Sequence, residues 1–151
     1  MVKLPNDVIL NFISKEFCIC WFKDLNHNPE APPHFYVNIP IKKKYCLLLC
    51  IITKQLSKRI KYYSNKPTAI AALVKSSNSD LHILNKKFDS CIDCNSAELF
   101  TMVELIDRID PRYDIEIKMN NNEIPDELKS KIVKAINISP LVRRYIKDLI
   151  K

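Results

Sequence analysis

Tyr45-Cys46-Leu47-Leu48-Leu49-Cys50-Ile51-Ile52-Thr53 is the most apolar run of the 151-residue chain, and its reading decides the fold. The run is too short to cross a bilayer. Lys42-Lys43-Lys44 bounds it on one side and a polar, basic tract on the other, so it predicts a strand buried on both faces. Upstream, Phe35, Val37 and Ile39 alternate with polar residues after His34, which predicts a partner strand joined through the lysine turn. Residues 24–33 are rich in Pro and Asn and read as a loop. Residues 17–22 read as a first strand, and residues 6–14 as a helix capped by Asn6 with Val8, Ile9, Phe12 and Ile13 on its apolar face.

Downstream of Thr53, residues 54–67 read as a polar loop, residues 68–74 as a strand, and residues 81–84 and 90–92 as shorter strands. The remainder reads as helical. Residues 97–109 carry Leu99, Val103 and Ile106 on one face after Ser96. Residues 125–136 begin with Pro, place Asp126 and Glu127 where the helix dipole favours acids, and repeat apolar residues at Leu128, Ile132 and Ile136. Ser139-Pro140 opens a last helix with Leu141, Tyr145 and Leu149. Strands first and helices after, without βαβ alternation, predict an α+β domain: a small antiparallel barrel or sheet packed by helices. The length predicts a single domain, 1–151, with a strand core at about 17–94 and C-terminal helices at about 96–150.

Charge is unevenly spread. The chain has 24 basic and 17 acidic residues, and residues 31–79 hold nine of the basic ones with no Asp or Glu. Those nine taken from 24 leave fifteen basic against seventeen acidic residues elsewhere, so the whole excess sits in one strip. Lys42, Lys43, Lys44, Lys54, Lys58, Arg59 and Lys61 suit a polyanion, and Tyr62 and Tyr63 beside them offer rings for an unpaired base. An acidic protein partner or a solvated face accounts for the same charge pattern.

Other chemistry is poorly represented. Glycine is absent, which disfavours phosphate-cradling nucleotide loops, and no cofactor is expected. Cys91 and Cys94 form one Cys-x-x-Cys without a second pair or a nearby His, so no metal is expected there. Cys18, Cys20, Cys46 and Cys50 lie in apolar runs as small hydrophobes. The amino terminus, Met1-Val2-Lys3-Leu4-Pro5, lacks the pattern of a signal peptide. With no membrane-length apolar run beside it, this predicts a cytoplasmic protein that does not engage a membrane.

Three short stretches carry a family resemblance. Pro32-Pro33-His34-Phe35-Tyr36-Val37-Asn38-Ile39 resembles the strand that opens the core of MazF/PemK-like toxins, which often reads Arg-Pro-Val-Val-Val-Leu. Leu49-Cys50-Ile51-Ile52-Thr53-Lys54-Gln55 resembles the next strand, ending in Thr before a polar loop. Lys87-Phe88-Asp89-Ser90-Cys91-Ile92-Asp93-Cys94 resembles the later strand that leads to the final helix. The resemblance covers about residues 17–109. It implies an SH3-like barrel with terminal helices, metal-independent cleavage of single-stranded RNA, neutralisation by an antitoxin and a homodimer. The family's chemistry uses an Arg at one strand start and a Ser or Thr at the next strand's end. Thr53 matches the latter, whereas His34 stands at the Arg position.

The expected catalytic set is therefore His34, Thr53 and Arg59. Lys42, Lys43, Lys44, Lys54, Lys58, Lys61 and Tyr63 are expected to bind the strand. A neutral imidazole is a competent base for moving the proton of the RNA 2′-hydroxyl. His27 is read as a loop residue outside the chemistry. The alternative is a non-catalytic barrel that binds nucleic acid or a partner protein through the basic strip.

Overall fold

The computed structural model describes residues 4–75 and 90–151. Along the chain lie α1 (Asn6–Ile13), β1 (Cys18–Phe22), β2 (His34–Ile39), β3 (Cys46–Thr53), α2 (Leu56–Tyr62), α3 (Pro67–Ala71) and β4 (Leu73–Lys75). They are followed by β5 (Cys91–Asp93), β6 (Glu98–Thr101), α4 (Met102–Arg108), β7 (Glu116–Met119), α5 (Asp126–Ile138) and α6 (Arg144–Lys147), with single 3-10 turns at Cys94–Ser96 and Asn121–Glu123.

The apolar run is the centre of the sheet. All of β3 except Ile51 is buried. Successive side chains leave a strand on opposite faces, so Leu48, Cys50 and Ile52 join one core and Leu47 and Leu49 another. The strands order as β4-β5-β3-β2-β1-β7, and every pairing is antiparallel. The free edge of β3 is shared: β5 pairs with its end at Ile52 and Thr53, while β6 pairs with Cys46 to Leu49.

Helices cover both faces. On one, α5 turns Leu128, Ile132, Ala135 and Ile136 inward at helical spacing against Val37, Leu48 and Ile92. On the other, Leu10 and Ile13 of α1 and Leu105 of α4 meet Cys20, Phe22 and Leu49. Each fully buried Leu or Ile contributes about 1.5–3 kcal/mol. One polar side chain is built into the second layer. The Asn38 amide donates to the Ile13 and Glu16 carbonyls at 2.9 Å each, satisfying acceptors that the end of α1 leaves open.

The α+β class and antiparallel pairing are as expected, but the described strands form an open sheet with β4 and β7 at its edges rather than a closed barrel. The burial pattern agrees with this: both faces of β1, β2 and β3 are apolar and covered by helices, so the sheet lies between two helical layers instead of wrapping one interior.

Several local expectations are corrected. Residues 54–67 hold α2, because Leu56 and Tyr63 are buried at helical spacing. Residues 68–74 are mostly α3, opened by Pro67 and rich in Ala, which favours a helix over a strand. Residues 98–101 form β6, and the helix starts later. Thr101 accepts from the Glu104 N–H and Glu104 from the Thr101 N–H, a capping box that displaces Ser96 as cap. Residues 116–119 form β7 where helix was expected. In the last segment Val142 and Ile146 are buried, while Leu141 and Tyr145 are exposed. Pro5, not Asn6, occupies the N-cap of α1. The strand expected at 81–84 lies outside the described residues. All six cysteines are buried free thiols. Among the described residues no helix is long and apolar enough to cross a membrane.

Candidate functional site

The antiparallel β2–β3 hairpin sets the start of one strand beside the end of the other. Phe35 pairs with Ile52, and continuing that register brings His34 opposite Thr53. The chain then turns, with the Gln55 N–H donating to Thr53 Oγ1 at 3.2 Å, and α2 returns Arg59 to the same place. These three residues line a cavity of about 460 Å3 whose apolar walls include Trp21 and Phe35. The expected catalytic residues, spread over 26 positions of sequence, thus share one concave surface.

The His34 imidazole lies below its ordinary pKa. Burial is the main cause, and the charges of His27, Lys23 and Arg59 add to it against an opposing pull from Asp24. At neutral pH it is therefore an unprotonated base. His27 was read as a loop residue, yet its ring stands 5.2 Å from that of His34, nearly perpendicular to it. A turn built on Asp24 holds it there, the His27 N–H donating to the Asp24 carbonyl at 3.1 Å.

Arg59 is held from behind. Asp93 is wholly buried and accepts from Arg59 Nη1 at 3.1 Å and from the Tyr63 hydroxyl at 2.9 Å. Its other oxygen accepts from the backbone and side-chain nitrogens of Asn95, each at 3.1 Å. Asn95 is itself fixed, donating to the Ala69 carbonyl and accepting from the Ser139 hydroxyl. This network ties α2, α3, β5 and the chain after α5 into one frame and leaves the Arg59 side chain 32% exposed.

A smaller cavity, about 170 Å3, lies next to the first, and Arg59 and Ile51 line both. Asp24 and Arg108 form a two-point ion pair across it, Nη2–Oδ2 at 2.6 Å and Nε–Oδ1 at 3.3 Å. Burial alone would raise the Asp24 pKa, but the hydrogen bonds from Arg108 and the Asn26 N–H outweigh it and hold the carboxyl below its ordinary value.

The basic strip divides in two. Lys54 lines the larger cavity, and Lys58 and Lys61 are exposed on α2, the helix that carries Arg59 to it. Lys42, Lys43 and Lys44 lie at the opposite end of β3, around a separate hollow that Lys15 and Lys151 also line. Eight strand residues separate the two patches, roughly 23 Å at about 3.3 Å per step. Tyr63, expected to stack on a base, is only 6% exposed. Burial and its bond to Asp93 push its hydroxyl up to about 12, so it remains a donor inside the frame. Tyr62 is the exposed ring of the pair.

Sequence reasoning missed Asp93, Asn95 and His27. Asp93 is 34 residues from Arg59 and no local pattern links them. The loop around His27 reads only as turn-forming. Among the described residues no group of three or more His, Cys, Asp and Glu side chains is placed to hold a metal ion. Comparison with protein-family models, curated proteins and solved structures finds no match to this chain.

Proposed function

We propose that the larger cavity binds single-stranded RNA and cleaves it without a metal. The observation that carries this reading is the convergence of His34, Thr53 and Arg59 on one cavity, with His34 held unprotonated. In the proposed step His34 takes the proton of an RNA 2′-hydroxyl, and the oxygen attacks the adjacent phosphorus. The bond to the 5′-oxygen breaks, leaving a 2′,3′-cyclic phosphate on one fragment and a 5′-hydroxyl on the other. Arg59 neutralises the charge that develops on the phosphate oxygens, and its ion pair with Asp93 means no reorganisation is needed as charge forms. The leaving oxygen takes its proton from solvent water, since His27 packs on His34, the side of the attacking oxygen, and lines the adjoining cavity. Thr53 orients the phosphate. Trp21 and Phe35 offer rings for the flanking bases, and Lys54, Lys58 and Lys61 draw the strand in.

The MazF/PemK-like resemblance extends this proposal to a cytoplasmic toxin, an antitoxin that covers the cavity and a homodimer. Its support is the strand order of residues 17–109, and the open sheet departs from that family's barrel. A second reading, binding without cleavage, is favoured by His34 standing where the family has Arg. The two are separated by incubating the protein with a long single-stranded RNA in EDTA beside His34→Ala and Arg59→Met. Cleavage lost in His34→Ala with RNA affinity retained supports the enzyme. Binding by the wild type without cleavage supports the binding module, and cleavage that survives both substitutions removes this site assignment.

A further inference from the structure

The smaller cavity contains a buried group that the proposed chemistry does not use. Tyr36 is 7% exposed, and its hydroxyl has no hydrogen-bond partner among the described residues. Buried hydroxyls are rarely left so. The Asn38 and Ser90 side chains also carry an unpartnered buried oxygen, but neither residue lines either cavity, whereas Tyr36 lines the smaller one. Its ring is held firmly, stacked on Phe22 with centroids 4.3 Å apart and planes 13° from parallel. Burial and the nearby Asp24 carboxylate raise its pKa, so the hydroxyl is a donor.

The same cavity holds an acceptor on its exposed rim. Glu98 gives Oε1 to Arg108 Nη1 at 3.3 Å, and its carboxylate carries a second oxygen, Oε2. Arg108 also spans to Asp24 and lies over the Phe100 ring at 4.7 Å. Asp24 and Arg108 pair with each other across the cavity and Asp93 holds Arg59, so beside the walls of Phe22, Leu49, Ile51 and Phe100 the Tyr36 hydroxyl and the Glu98 carboxylate are left to meet the polar edge of a flat heterocycle.

We propose that this second cavity is a nucleobase subsite, taking the base next to the phosphate held at Arg59 and preferring an amino-bearing base over uracil. The proposal rests on the RNA reading of the larger cavity. Arg59 lines both cavities, so a phosphate on it has a neighbouring base within reach of Tyr36. Cytosine and adenine each present an amino donor beside a ring-nitrogen acceptor, which complements Glu98 Oε2 and the Tyr36 hydroxyl. Uracil presents the reverse and would set its carbonyl oxygen against the Glu98 carboxylate, which repels it. Carboxylate recognition of an amino group follows the same logic in nucleic-acid readers generally.

The test uses dinucleoside monophosphates whose 5′ sugar lacks the 2′-hydroxyl and so resists cleavage. Cytosine, adenine and uracil are placed on each side of the phosphate in turn. Trp21 is the chain's one tryptophan and lines the larger cavity, so its fluorescence reads occupancy. In one of the two orders, cytosine or adenine should bind at least about tenfold tighter than uracil, the scale of one well-made polar match. Tyr36→Phe should reduce that preference below about threefold and leave the uracil ligand's affinity unchanged. Glu98→Ala, a substitution on the half-exposed rim, should act the same way and serves if Tyr36→Phe folds poorly. Binding with no base preference in either order, or a preference untouched by both substitutions, overturns the subsite while the RNA reading stands. No binding of any dinucleotide overturns both.

Discussion

Asp93→Asn changes one buried atom and should loosen both the fold and the site. Asp93 is wholly buried and accepts four hydrogen bonds, two on each oxygen. An asparagine has nearly the same volume, so no cavity forms. Its NH2 group, whichever way it is turned, faces two donors and must abandon both bonds. Turned toward Arg59 and Tyr63, it breaks the ion pair. Turned toward Asn95, it opposes two nitrogens fixed by Ala69 and Ser139. Breaking a fully buried charge pair costs about 3–5 kcal/mol. Arg59 is one-third exposed and regains water, so the expected loss is about 2–4 kcal/mol. In a chain of this size that lowers Tm by roughly 5–15 °C.

Urea and thermal unfolding measure the loss, and a double-mutant cycle with Arg59→Met isolates the pair, whose coupling should exceed about 1 kcal/mol. Arg59 freed from its anchor should also bind phosphate less well, lowering RNA affinity at constant pH and salt. Stability within about 0.5 kcal/mol of the wild type, or a cycle with no coupling, would refute the idea that Asp93 holds Arg59 in place.

Three further outcomes are expected. If His34 is the base, the acidic limb of the RNA-cleavage rate should have its midpoint below the ordinary His value of about 6.5, because burial and neighbouring positive charge depress it. The same shift makes the unfolded chain bind more protons than the fold between the two pKa values, so His34's contribution to stability falls as pH drops below about 6.5, and His34→Gln should flatten that fall in urea titrations from pH 8 to 5. Burial, chiefly, holds the thiols of Cys18 and Cys91 at about 11, with Glu16 and Asp93 adding to it, so Ellman's reagent at pH 7 should label neither until urea unfolds the chain. Charge reversal of Lys42, Lys43 and Lys44 together should leave the affinity for a dinucleotide unchanged, because those residues surround a different hollow, while Lys58→Glu with Lys61→Glu should weaken binding of a longer strand and reduce its salt dependence.

Legibility of the sequence followed the range of the interactions. The run at 45–53 announces β3 because burial on both faces leaves an unbroken apolar signature, and α5 is readable from its own repeat and first-turn acids. α3 and β6 are not readable that way. Both, at five and four residues, span too few repeats for a period to show, and pairing of β6 along β3 decides its state over a helical-looking pattern. The open sheet was hidden because closure depends on what covers each face, and α4, which helps α1 cover one face, comes late in the chain, well after β1, β2 and β3. His34, Thr53 and Arg59 could be nominated from residue chemistry and resemblance. Their support could not, since Asp93 reaches Arg59 from 34 residues away. The acid-free strip looked like one surface in one dimension, but a single long strand carries its two halves apart.

The most direct test is the chemistry of the RNA ends. A single-stranded oligoribonucleotide is incubated with the protein in excess EDTA, and its fragments are weighed by mass spectrometry. The cavity predicts a 2′,3′-cyclic phosphate on one fragment, a 5′-hydroxyl on the other, and loss of both in His34→Ala. An intact oligonucleotide, or fragments that form equally well with His34→Ala, would contradict it.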